Sequence, residues 1–132
     1  MPETPKHSLA EIKSIVEKFL DGSRELIVFS APSRSTRCVI EVLLCNQLEA
    51  EETIAKGIML LENNDFSQRV YQWGTTMDVY GLENYKDANW YIKLSLVEED
   101  GEIALDEISF HHNKKPLTLI DGRILGTEEE EN

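Results

Sequence analysis

The sequence predicts an α+β fold, with N-terminal helices packed on one face of a mostly antiparallel sheet. Apolar residues recur at helical spacing as far as Leu61, and from Phe66 onward they tend to alternate with polar residues. The chain has 132 residues, of which 41% are hydrophobic, so it can form one core without disulfides or metals. We therefore expect a single α+β domain over residues 1–127 and an acidic disordered tail over residues 128–132.

Three helices are predicted in the first half of the chain. Ser8 and Glu11 have the spacing of a capping box, and Asp21-Gly22 ends the first helix. The second and third helices are delimited by polar residues and helix breakers. Their expected bounds are Ser33 or Ser35 to about Asn46, and then a helix that begins near Glu49 and ends before Asn63-Asn64-Asp65.

Four main strands are predicted in the second half, joined by turns at Gly74 and at Asp100-Gly101. A short strand precedes the second helix, and a polar loop is expected from Gly81 to Ala88. An edge strand, interrupted by Asp121-Gly122, is expected near the end of the chain. The predicted strands are Leu26–Phe29, Phe66–Trp73, Thr76–Tyr80, Trp90–Val97, Ile103–His111 and Leu117–Leu125.

Strand alternation predicts a polar patch on the open face of the sheet, away from the helices. Successive side chains of a strand point to opposite faces, so a buried Trp90 leaves Tyr91 and Lys93 facing outward. The same alternation places Ser109 and His111 outward on the next strand. Three further residues are assigned by the same rule: one of Gln68 and Arg69 joins this patch, and Ser95 and Glu107 face outward.

A phenol, an ammonium group and an imidazole on one open face suit the cleavage of RNA without a metal. In that reaction a base deprotonates the 2′-hydroxyl, an acid protonates the leaving 5′-oxygen, and cations stabilise charge on phosphorus. The candidate catalytic residues are Tyr91, His111, Arg69 and Lys93, and the candidate substrate-binding residues are Gln68, Arg37 and Ser109. We expect His111 to act as general acid. An ordinary solvated sheet face is the alternative interpretation.

The charge of the chain argues against nucleic-acid binding. The net charge is −12, and removing the four charges of Glu128–Glu131 leaves −8 for residues 1–127. Nucleic-acid binding normally requires a basic surface. An acidic domain can therefore bind RNA only if its few cations gather in one place.

Other classes of protein are disfavoured by composition. No apolar run approaches the roughly 20 residues of a membrane helix, and the polar segment Met1–Ser8 does not resemble a signal peptide. We expect a cytoplasmic protein without a membrane partner. Cys38 and Cys45 are expected to be buried thiols, and the histidines lack the spacing of zinc ligands, so neither a metal nor a cofactor is predicted.

Five short motifs occur in order between residues 4 and 112. They are Thr4-Pro5-x-His7-x-Leu9-x-x-Ile12-Lys13, Leu61-x-x-x-Asp65-Phe66, Asp78-Val79-Tyr80, Tyr91-Ile92-Lys93-Leu94 and Ile108-Ser109-Phe110. With these five motifs in this order, the chain resembles the motility quorum-sensing regulator toxins, which are RelE-like mRNA interferases. The resemblance implies a RelE-like fold, metal-independent endoribonuclease activity on mRNA, and control by a cognate antitoxin protein in a toxin–antitoxin system.

The functional positions of that family match this chain unevenly. Its tyrosine falls on Tyr91, and the lysine that follows Ser-Phe falls on His111. The lysine after Asp-Phe falls on Gln68, next to Arg69, and the glutamine before Asp-Val-Tyr falls on Met77. The resemblance therefore implies an activity weakened by substitution at two of four positions.

A non-catalytic function is the alternative. The charge of −12 and the two substituted positions suit a member of the same fold that binds a basic protein. Such a protein would act as an acidic antitoxin, immunity or regulatory module.

Overall fold

A computed structural model of the protein describes residues 4–29, 34–72 and 74–127. The helices are α1 (Leu9–Leu20), α2 (Arg34–Leu43) and α3 (Gln47–Met59), and the strands are β1 (Ile27–Phe29), β2 (Phe66–Gln72), β3 (Thr75–Tyr85), β4 (Ala88–Glu99), β5 (Glu102–His112), β6 (Leu117–Thr118) and β7 (Ile124–Leu125). The predicted α+β class is confirmed. The predicted acidic tail, residues 128–132, lies outside the described residues.

The first five strands form one sheet in the order β1-β5-β4-β3-β2. β1 pairs with β5 in parallel, and the other three pairings are antiparallel. The mostly antiparallel sheet is therefore confirmed. Within the described residues, none of the helices is long and apolar enough to cross a membrane.

Polar caps set the helix boundaries. The Ser8 hydroxyl accepts a hydrogen bond from the Glu11 amide at 3.3 Å, which begins α1 where the sequence predicts. Asn46 and Glu49 form a complete capping box at the start of α3. α2 therefore ends at Leu43 rather than near Asn46. Asn46 is the N-cap of the next helix, and Leu44 has a left-handed backbone conformation.

One hydrophobic core joins the helices to alternate residues of the sheet. Apolar residues at helical spacing in α1 and α3 pack with alternate apolar side chains of β4 and with apolar side chains of β5. The fully buried members include Ile12, Val16, Ile54, Ile58, Trp90, Ile92, Leu94 and Phe110. This burial fixes the orientation of the residues between them on β4, and hence of the site described below.

The predicted loop from Gly81 to Ala88 is wrong. β3 continues through Gly81 to Tyr85, and β4 begins at Ala88. Lys86 and Asp87 have left-handed φ values of 52° and 60°, which matches the twist of a two-residue hairpin turn. A Cβ atom at Gly81 would lie 2.7 Å from Cδ1 of Leu125, so this glycine marks a place where two segments of the chain pack closely, not a turn.

The predicted strand over Leu117–Leu125 is interrupted at Asp121-Gly122 as expected, but it does not form an edge of the main sheet. This segment forms the separate hairpin β6–β7, whose leucines pack on Val79. The Arg123 guanidinium donates to the Asp65 carboxylate at 2.7 Å, and the Ile120 amide donates to the Phe66 carbonyl at 2.7 Å. The sheet face that we expected to be open is thus partly covered by the C-terminal hairpin.

A β-bulge in β5 changes which residues face outward. Lys93 pairs with Ser109, whereas the next residue, Leu94, pairs with Glu107, so Ile108 is an extra residue on the β5 side. A bulge shifts the alternation of one strand by one residue. Glu107 is consequently turned to the same side as Leu94 and is fully buried, with 0% exposure. The prediction that Glu107 faces outward is therefore wrong.

The packing at Gly81 generates a stability prediction. Gly81→Val adds carbon atoms where three leucine methyl groups already lie within 3.0 Å of a Cβ position. Overpacking of this kind costs about 1–3 kcal/mol of unfolding free energy. Chemical denaturation should show this loss, whereas Gly126→Val, whose Cβ meets nothing within 4 Å, should change stability by less than about 0.5 kcal/mol. Equal stability of the two variants would contradict the described docking of β6–β7.

Candidate active site

A cleft of about 480 Å³ lies beside the C-terminal hairpin, on the sheet face that carries β6 and β7. β4 contributes Tyr91 and Lys93, and β5 contributes Ser109 and His111. The segment that leaves β5, from Asn113 to Leu117, forms one wall, and Gln68 of β2 completes the lining. Four residues that the sequence places on one patch therefore share a concave site.

Tyr91 and His111 are cross-strand partners at the centre of the cleft. Their rings stack with centroids 5.1 Å apart and an interplanar angle of 12°. Both side chains are half-buried. The stacking limits the rotation of each ring, so the phenol and the imidazole are presented in a defined orientation.

The environment of His111 determines its protonation. Its Nδ1 lies 2.8 Å from the His112 carbonyl oxygen, which can only accept, so Nδ1 carries the hydrogen and Nε2 carries the lone pair. Burial lowers the pKa of His111 below its usual 6.5, and the charges of Lys114 and Lys93 lower this pKa further, although the bond to His112 opposes the shift. His111 is therefore neutral at pH 7 and suits a general base, whereas we expected an acid.

Lys93 lies next to this pair on β4. Its Nζ donates to Oε1 of Gln72 at 3.0 Å, and its backbone pairs with Ser109. Burial lowers the pKa of Lys93 below the usual 10.5. The result is a positioned ammonium group that gives up its proton more readily than an exposed lysine does.

The structure separates Gln68 from Arg69. Gln68 pairs with Val79 and lines the cleft, whereas Arg69 pairs with Asp78. Arg69 donates through Nε to the Thr4 carbonyl at 2.6 Å, on the side where Asp78 binds the backbone before α1. Arg69 is thus directed away from the cleft, and the predicted catalytic role of this residue does not fit the geometry.

Three other residues singled out in the sequence also lie apart from the cleft. Arg37 is exposed on α2 and does not line the cleft, which argues against its predicted role in substrate binding. Ser95 is buried, with its hydroxyl 3.4 Å from the Thr76 carbonyl, so the expectation that it reaches solvent is wrong. Met77 is buried and contributes no polar group.

The sequence interpretation missed Asn113, Lys114 and Lys115. Asn113 is only 1% exposed, and its Nδ2 donates to the Leu125 and Gly126 carbonyls at 3.1 and 3.0 Å, which ties the cleft wall to β7. Lys114 and Lys115 follow directly and line the cleft. The signal that could have identified them is a pair of lysines immediately after a strand that carries the candidate base.

The cleft is cationic although the chain is acidic. Three of the eight lysines in the sequence line it, namely Lys93, Lys114 and Lys115. Every described side chain in the lining is neutral or cationic. The buried carboxylates of Asp78 and Glu107 belong to the other side of the sheet. The site can therefore attract an anion despite the net charge of −12.

Within residues 4–29, 34–72 and 74–127, no group of three or more His, Cys, Asp or Glu side chains is arranged to hold a metal ion. Comparison of the chain with protein-family models, with curated proteins and with solved structures finds no match. The function is therefore inferred from the chemistry of the cleft.

Proposed function

We propose that the protein is a metal-independent endoribonuclease, a toxin-like mRNA interferase that acts in the cytoplasm. The observation that carries this proposal is the grouping of Tyr91, Lys93 and His111 with two further lysines in one cleft whose described lining has no carboxylate. This arrangement suits an RNA phosphodiester, because it offers a base and a proton donor beside one phosphate, and further positive charge along the cleft.

In the first step, Nε2 of His111 accepts the proton of the 2′-hydroxyl. The bond from Nδ1 to the His112 carbonyl leaves Nε2 as the acceptor. The 2′-oxygen then attacks the adjacent phosphorus and forms a new P–O bond. A neutral imidazole is required for this role, and the lowered pKa of His111 supplies it at pH 7.

In the second step, the bond between phosphorus and the 5′-oxygen breaks, and Lys93 donates a proton to the leaving oxygen. The products are a 2′,3′-cyclic phosphate and a 5′-hydroxyl. The proton gained by His111 passes to solvent, and Lys93 regains one from solvent. The lowered pKa of Lys93 favours this donation, since its ammonium is more acidic than an exposed one.

Tyr91 orients these groups. Burial raises the pKa of its phenol above 10.0, so the hydroxyl remains a hydrogen-bond donor at neutral pH. The stack with His111 fixes the ring of Tyr91 in the lining of the cleft, and we assign its hydroxyl to a non-bridging phosphate oxygen. Gln68 and Ser109, which also line the cleft, offer neutral hydrogen bonds to the same strand.

The resemblance noted in the sequence adds a partner to this proposal. Toxins of that family are controlled by a cognate antitoxin, and an antitoxin that covers the cleft would have to supply negative charge to Lys93 and Lys114. The acidic surface elsewhere favours a second function, in which a non-catalytic chain binds a basic protein. Harmless overexpression together with copurification of a basic protein would support that alternative.

The proposed activity predicts RNA cleavage in excess EDTA, with 2′,3′-cyclic phosphate ends. His111→Ala should lower the cleavage rate about 10²–10⁴-fold, the range for loss of an acid–base group. Lys93→Gln should also impair cleavage strongly. Arg69→Gln removes the same charge outside the cleft and should retain the parent rate. Parent protein that leaves varied RNAs intact, with and without EDTA, would refute the proposal.

The roles of His111 and Lys93 also predict a pH profile for kcat/KM. Activity should rise with pH through the His111 pKa, below 6.5, because the base must lose its proton. Activity should fall again through the Lys93 pKa, below 10.5, because the acid must keep its proton. Lys114→Gln should move the acidic limb to higher pH, since it removes a charge that lowers the His111 pKa. A rate that declines as pH rises from 5 to 7 would mean that cleavage requires a protonated His111 with no second group to deprotonate, and would contradict the proposed pairing of His111 with Lys93.

A further inference from the structure

The cations of the cleft lie on both sides of His111. Lys93 pairs with Ser109, two residues before His111 along β5, which corresponds to about 7 Å at a rise of about 3.4 Å per residue. In the other direction, the Asn113 amide still donates to the Asn89 carbonyl at 3.1 Å, so the strand direction continues past His111. Lys114 and Lys115 come next. Lys93 and the lysine pair are therefore separated along the cleft.

The segment that carries the two lysines is fixed at both ends. Before it, Asn113 is buried and bonded to the carbonyls of Leu125 and Gly126. After it, Leu117 packs in the cluster over Val79. Pro116 disfavours a helical backbone at Lys115. Lys114 and Lys115 are exposed on this short anchored segment, so they are available to a ligand at little cost in backbone entropy.

A single phosphate held between Lys93 and His111 would not use both ends of the cleft. The described lining contains no carboxylate that could neutralise Lys114 or Lys115. Two adjacent phosphates of one nucleic-acid strand, in contrast, place negative charge at both ends. Phosphate contacts of this kind fix the position of a strand without reading its bases.

We propose that Lys114 and Lys115 form a second anion subsite, which binds the phosphate next to the reacting one along the same strand. This inference rests on the proposed function and adds a minimum length for the substrate. The cleft recognises an oligonucleotide with at least two neighbouring phosphates and discriminates against a dinucleotide with one. The lysine pair positions the strand, while His111 and Lys93 act on the adjacent linkage.

The test uses thymidine dinucleotides, which lack the 2′-hydroxyl and cannot be cleaved. TpT has one phosphate, and pTpT and TpTp carry a second phosphate at either end with the same bases. At low salt, the parent should bind one of the two phosphorylated probes at least about tenfold more tightly than TpT. This ratio corresponds to the lower end of the free energy that one charge-assisted hydrogen bond contributes. The preference should fall as salt is raised. The logarithm of the affinity ratio should decrease with the logarithm of the salt concentration with a slope of about 0.7 per additional phosphate bound.

The double variant Lys114→Gln/Lys115→Gln should lose this preference and still bind TpT as the parent does. The matched control Lys18→Gln/Lys56→Gln removes two exposed lysines from α1 and α3, and should keep the preference. Thermal melting of both variants checks that they fold.

Three outcomes would overturn the second subsite. The parent could bind all three probes equally, the lysine variant could keep the preference, or the control could lose it to the same extent. If any of these occurs while the parent still cleaves RNA through His111, only the subsite is refuted. If the parent neither binds the probes nor cleaves RNA, the proposed function fails with it.

Discussion

The extra residue at Ile108 determines which charges face the cleft. Because β5 gains one residue opposite β4, Glu107 turns to the buried side with Leu94, whereas Ser109 stays opposite Lys93. Without the bulge, regular alternation would place Glu107 opposite Ser95 on the face that carries Lys93, the position that Asp106 takes in the structure. The bulge thus turns the longer of these two neighbouring carboxylates away from Lys93. The chemistry proposed for the cleft therefore depends on a local irregularity of the backbone.

The local placement of charged side chains also reconciles an acidic chain with an anionic substrate. Net charge describes the whole molecule, whereas an anion in the cleft responds to nearby groups because water and salt screen distant ones. Asp65 is bound by Arg123, Asp78 accepts from the backbone amides before α1, and Glu107 is buried on the other side of the sheet. These carboxylates have structural positions away from the cleft. The lysines, in contrast, remain available on its rim.

The sequence predicts the parts of the fold that depend on local periodicity. Ser8 and the apolar spacing define α1, and alternation after Trp90 correctly places Tyr91 and Lys93 on one face. The missed features depend on contacts between distant segments. Gly81 continues a strand because it pairs with Tyr91 on β4, and its missing side chain leaves room for the C-terminal leucines. Arg69 leaves the cleft because the pairing of β2 with β3 directs Gln68 there instead. Neither contact leaves a periodic signal in the sequence.

The titration of the His111 imidazole tests the central claim most directly. Nitrogen-15 NMR of the three histidines can report both the tautomer and the pKa of each ring. In a cleft that holds Lys93 and Lys114 and excludes Glu107, His111 should carry its hydrogen on Nδ1 and titrate below 6.5. A pKa above 6.5, or a hydrogen on Nε2 in the neutral ring, would mean that a carboxylate reaches the imidazole or that the described orientation is wrong, and would contradict the account.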